Sequence, residues 1–106
     1  MMDLKELNQR ACDIREKYHA LERQYHNTPW SIEEDALAFL TDAALVGRLT
    51  MDHEGRWPSE EGDLSLKIGE CVWWLAILAD EMHLSFEECV NQFITAKEED
   101  LREIQP

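Results

Sequence analysis

Several things are scarce or missing in this chain, and each absence narrows the reading. No stretch alternates apolar and polar residues with a period of two, so no strand is expected. Glycine and proline number four and three in 106 residues, which favours a few long elements over many short ones. No glycine-rich loop is present to cradle a phosphate, and no serine–histidine–acid or cysteine–histidine arrangement suggests an activated nucleophile. The three cysteines, Cys12, Cys71 and Cys89, are odd in number and form no C-x-x-C pair. That argues against a disulfide framework or a zinc site and suggests buried thiols in a reducing compartment. Basic residues number 10 against 23 acidic ones, a formal net charge of −13. Such a surface repels nucleic-acid backbones and anionic membranes, so neither is an expected partner. The N-terminal MMDLKELNQR lacks the apolar core of a signal peptide, and no apolar run is long enough to span a bilayer. The expected location is cytoplasmic.

What the chain does have is helical periodicity. Hydrophobic residues make up 44% of it, enough for one small core, and a single domain over residues 1–106 is expected. From Asp3 to His26 the apolar residues Leu4, Leu7, Ala11, Ile14, Tyr18, Leu21 and Tyr25 alternate at spacings of three and four. This is a heptad seam, and it predicts a long helix packed on other helices. Asp3 is a fitting N-cap, and Asn27-Thr28-Pro29 ends the helix. Ser31 and Glu34 form a capping box for a second helix ending near Met51, and Glu33, Glu34 and Asp35 suit its positive N-terminal end. His53 to Gly62 reads as the main loop.

The stretch Leu64–Met82 is apolar almost all the way round, and other elements are expected to enclose it. Within it, Trp73 and Trp74 must point in different directions, one into the core and one toward an interface. After the His83-Leu84 turn, Ser85 and Glu88 cap a last helix, with Leu84 and Cys89 placed as a hydrophobic staple. Four helices with short connections predict an all-α bundle.

The run KIGECVWWLAILADEMHLSFEECVNQF, Lys67 to Phe93, together with PWSIEEDALAFLTDAALVGRLTM before it, resembles the MazG-like all-α nucleoside-triphosphate pyrophosphohydrolases. The helix order agrees over essentially the whole chain. The resemblance implies a MazG-like four-helix bundle completed by dimerisation. It also implies magnesium-dependent cleavage of a nucleoside triphosphate to the monophosphate and pyrophosphate. In that family a Glu-Glu-x-x-Glu run and a Glu-x-x-Asp pair hold the metal; hard magnesium takes oxygen ligands, and residues three or four apart present them on one helix face. Here the first motif falls on Thr41-Asp42-Ala43-Ala44-Leu45 and the second on Lys67-Ile68-Gly69-Glu70. Two of the five acids survive, and Lys67 stands where a glutamate is expected. The family's polar residues on the last helix would fall near Ala96 and Glu99, where they are lost.

Two readings follow. If activity persists, Asp42 and Glu70 hold magnesium, Lys67 steadies a phosphate, and Glu34 or Asp35 is a further source of carboxylate. Trp57, in the loop, is then the candidate for contact with substrate. Alternatively, the Lys67 ammonium replaces the metal and neutralises Asp42 and Glu70. The chain is then a non-catalytic nucleotide-binding or protein-interaction module on the same scaffold. Glu16-x-x-His19 and Asp80-x-x-His83 have spacings reminiscent of helical di-iron sites, but both read as surface residues, as do His26 and His53.

Overall fold

The computed structural model describes residues 1–60 and 62–106. Glu61, within the expected 53–62 loop, lies outside the described residues. The described residues form four α-helices and no strand: α1 Leu4–His26, α2 Ile32–His53, α3 Leu64–Glu81 and α4 Phe86–Asp100. None is long and apolar enough to cross a membrane.

Local chemistry sets the helix ends. The Asp3 carboxylate accepts from the Glu6 amide at 2.8 Å and starts α1. Asn27 ends that helix in the left-handed region, φ 70°, a conformation its short polar side chain tolerates. The Ser31–Glu34 box is complete at the start of α2, with bonds of 3.2 and 3.0 Å. That helix continues to His53, two residues past the expected end at Met51, before Gly55 turns the chain at φ 72°. Asp63 caps α3 through the Leu66 amide at 3.0 Å, and Ser85 caps α4 through the Glu88 amide at 3.2 Å.

The central position expected for Leu64–Met82 is borne out. α3 packs on α1, α2 and α4, whereas α1 and α2 do not pack on each other. The fully apolar core is small: Ala11, Ala76 and Ile77, with Leu7, Cys12, Trp73 and Phe86 against it. The small side chains of Ala11 and Ala76 let α1 and α3 meet closely. Burial of Ile77 contributes about 1.5–3 kcal/mol.

The expected enclosure of α3 is not achieved within one chain. Leu66 is 75% exposed, and Ile68, Leu75 and Met82 are also open to solvent. The heptad seam of α1 divides the same way: Ala11 is buried, while Ile14, Tyr18, Leu21 and Tyr25 are exposed. The radius of gyration is 16.7 Å, against about 13 Å for a compact domain of roughly this length. Four helices arranged around α3, with α1 and α2 joined by side chains rather than packed along their lengths, leave several apolar faces uncovered.

The thiols depart from the sequence expectation at one position. Cys12 and Cys71 are half-buried, but Cys89 is exposed, because the α4 face carrying it has no covering helix. Burial, reinforced by Asp80, pushes the Cys12 thiol up to about 11, and burial also raises Cys71. Neither is a ready thiolate at neutral pH.

Candidate functional site

The three residues singled out on α2 and α3 come together. Asp42 lies midway along α2, and Lys67 and Glu70 lie one turn apart near the start of α3, the helix packed most extensively on α2. Lys67 Nζ donates to Asp42 Oδ1 at 3.2 Å and to Glu70 Oε1 at 2.9 Å. The remaining Asp42 oxygen, Oδ2, accepts from the indole Nε1–H of Trp74 at 2.9 Å. The Lys67 side chain is 18% exposed, so the cluster is only partly shielded from water. Its hydrogen bonds to Glu70 and then Asp42 raise the lysine pKa above its ordinary value and hold the ammonium charged.

This donor set does not fit a magnesium ion. Octahedral magnesium demands oxygen ligands around a bare cation position. Here an ammonium already bonds both carboxylates, and Asp42 has a donor on each of its oxygens. The other motif positions do not repair the set. Thr41 turns its hydroxyl back to the Leu37 carbonyl at 3.0 Å, and Leu45 is half-buried with no polar group to offer. Glu34 is committed to its capping box and Asp35 to Arg15, so neither joins Asp42 and Glu70. Ala96 and Glu99 are exposed on α4. Among the described residues no group of three or more His, Cys, Asp or Glu side chains is arranged to hold a metal ion. The Glu16–His19 and Asp80–His83 pairs accordingly stay apart from any such group; Glu16, Asp80 and His83 are exposed, and His19 is half-buried.

Beside the cluster runs an aromatic groove of about 340 Å³, lined by Tyr18, Tyr25, Trp30, Trp73, Trp74 and Glu70 among others. Trp73 and Trp74 therefore face one groove, their ring centroids 4.6 Å apart and the planes tilted by 59°. The expected divergence into core and interface is not what the chain shows: they differ in depth, Trp74 buried and Trp73 half-buried, with Trp73 packed against the core and donating Nε1–H to the Ala11 carbonyl at 3.1 Å. Trp57 does not line this groove. It is 58% exposed on the turn after α2, its amide bonded to the Met51 carbonyl at 3.3 Å.

A second polar cluster was not anticipated from the sequence. Arg15 is 3% exposed and Asp35 is fully buried. Arg15 forks to Glu22 with Nη1–Oε2 and Nη2–Oε1 distances of 2.7 and 3.3 Å, and its Nη2 also reaches Asp35 Oδ1 at 2.8 Å. Glu22 Oε1 accepts in addition from the Trp30 amide at 2.7 Å, which fastens the α1–α2 connection. Burial works against the Arg15 charge, but the bonds to Glu22 and Asp35 outweigh it and raise its pKa. Burial likewise pushes Glu22 up, but its bonds from Arg15 and the Trp30 amide hold it below the ordinary glutamate value. Glu81, the last residue of α3, completes the cluster, with Oε1 3.8 Å from Arg15 Nε. The one available signal was the seven-residue spacing of Arg15 and Glu22, which places them on the same flank of the α1 seam. Trp74 lies between the two clusters, under the Arg15 guanidinium at 5.7 Å and bonded to Asp42.

Comparison with protein-family models, with curated proteins and with solved structures gave no match.

Proposed function

We propose that this chain is a MazG-like helical protein whose metal-dependent chemistry has given way to an internal ion pair, so that it acts as a non-catalytic module rather than as a magnesium-dependent pyrophosphohydrolase. The observation that carries this reading is the placement of Lys67 Nζ within 3.2 Å of Asp42 and 2.9 Å of Glu70. The ammonium supplies positive charge between the two carboxylates to which the resemblance assigns a metal. The MazG-like ancestry rests on the resemblance of the α3–turn–α4 sequence, and the four-helix order agrees with it.

A second reading keeps the nucleotide without its cleavage. The aromatic groove bordering Glu70 supports it, since Tyr25, Trp30 and Trp73 offer aromatic rings on which a base can stack. Self-association is part of either reading. The uncovered faces of α1, α3 and α4 are what a homodimer or a dimer of dimers would cover.

The test is pyrophosphate release from a panel of ribo- and deoxynucleoside triphosphates with magnesium or manganese at high protein concentration, together with equilibrium binding of the same nucleotides. The proposal expects no turnover. Turnover abolished by Asp42→Ala or Glu70→Ala would overturn it. Binding without turnover would select the second reading.

A further inference from the structure

Three buried polar atoms in the Arg15 cluster have no hydrogen-bond partner: Asp35 Oδ2, Glu81 Oε1 and Arg15 Nε. Buried polar atoms are nearly always paired, so three orphans in one cluster need a common cause. The formal charges point the same way. One guanidinium faces the three carboxylates of Glu22, Asp35 and Glu81, an excess of negative charge that burial makes costly.

A single proton pairs two of the three orphans, Asp35 Oδ2 and Glu81 Oε1, and relieves the excess negative charge; Arg15 Nε keeps only the 3.8 Å approach to Glu81. The distances from Arg15 say where the proton resides. Glu22 and Asp35 each take a short, charge-assisted bond from Arg15, of 2.7 and 2.8 Å. Glu81 approaches the guanidinium only to 3.8 Å, beyond hydrogen-bonding distance. We propose that Glu81 carries a proton in the folded protein and donates it to Asp35 Oδ2, forming a pH-sensitive latch that joins α1, the start of α2 and the end of α3.

The surroundings support this assignment. Burial and the adjoining Asp35 carboxylate push Glu81 up to about 8, Arg15 opposing and Asp80 on the same helix adding to the rise. The charged groups that face it are Arg15 from α1 and Asp35 from α2, with Glu22 acting through Arg15. α4 meets the end of α3 through Phe86, Val90 and the thiol of Cys89. Because α1 and α2 do not pack on each other, the Arg15–Asp35–Glu81 chain is a principal tie between them. Loss of the proton leaves two carboxylates opposed in a buried site and loosens that tie.

The sign of the pH effect follows from linkage. The folded pKa lies above the unfolded value of 4.5, so the stability that Glu81 contributes is fully present below 4.5. It declines as pH rises and is gone above about 8.

The experiment is a carbon-13 NMR titration of the intact protein labelled at glutamate carboxyls. The Glu81 resonance is assigned by through-bond correlation and by its disappearance in Glu81→Gln. The latch predicts one glutamate titrating near pH 8, moving to lower pH in Asp35→Asn. It also predicts a thermal midpoint that falls between pH 5 and 8 in the native chain more steeply than in Glu81→Gln. A Glu81 resonance titrating in the ordinary carboxylate range would overturn the proposal. So would one shifted by added magnesium or calcium, which would place a cation between the two carboxylates. Correlation spectra on the native chain suffice should Glu81→Gln fold poorly.

Discussion

Trp74 donates its indole N–H to Asp42 Oδ2 at 2.9 Å and so occupies the oxygen that Lys67 leaves open. The bond joins a core aromatic to a charged residue at a position where the MazG-like resemblance implies a metal ligand. A carboxylate held by an ammonium on one oxygen and an indole on the other is a satisfied structural group. Its disruption should therefore register first as lost stability.

Trp74→Phe keeps most of the ring and removes the donor. It should destabilise the protein by about 1–3 kcal/mol, the cost of leaving a shielded carboxylate oxygen unpaired. Lys67→Met should cost about 1–2 kcal/mol, below the figure for a fully buried pair because the cluster is partly exposed. In a double-mutant cycle by urea denaturation the two losses should not add, since both residues serve Asp42.

The Arg15 cluster should be the more sensitive of the two. Arg15→Met strands a fully buried aspartate beside two glutamates and should cost about 3–5 kcal/mol. Glu22 adds a separate pH signature. Its folded pKa is depressed, so its contribution is present above the unfolded value of 4.5 and is lost as pH falls through the folded value. Denaturant midpoints of native protein and Glu22→Gln should therefore converge on acidification below pH 4.5.

The uncovered apolar faces carry a prediction about assembly. Sedimentation equilibrium should give at least a dimer. Leu66→Glu or Phe93→Glu, placed on exposed positions of α3 and α4, should shift the protein to monomer with its helix content retained. A native monomer at micromolar concentration would remove self-association from the account.

The fold was readable because its signals are local. The alternating seam of α1, the Ser31–Glu34 box, the turn at Asn27 and the continuous apolar character of α3 each depend on residues a few positions apart. The Asp42–Lys67–Glu70 cluster was readable because two periodic helices and a resemblance fixed which faces meet. Arg15 with Asp35 was not. Asp35 sits among acids that suit a helix start, and nothing local distinguishes a carboxylate that faces solvent from one drawn inward by an arginine twenty residues away. The position of Trp57 was not legible either: an aromatic in a loop looks available for contact, but where the loop carries it, here away from the aromatic groove, depends on the chain path after α2.

The most direct test of the central claim is a calorimetric titration of magnesium into native protein and into a Leu45→Glu, Lys67→Glu variant. Leu45 lies three residues after Asp42 on α2, so the variant adds two carboxylates and removes the competing cation. The account predicts no specific binding to the native chain and measurable, saturable binding to the variant. Saturable binding to the native chain that is lost in Asp42→Ala would contradict it, because magnesium would then be displacing Lys67 rather than being replaced by it.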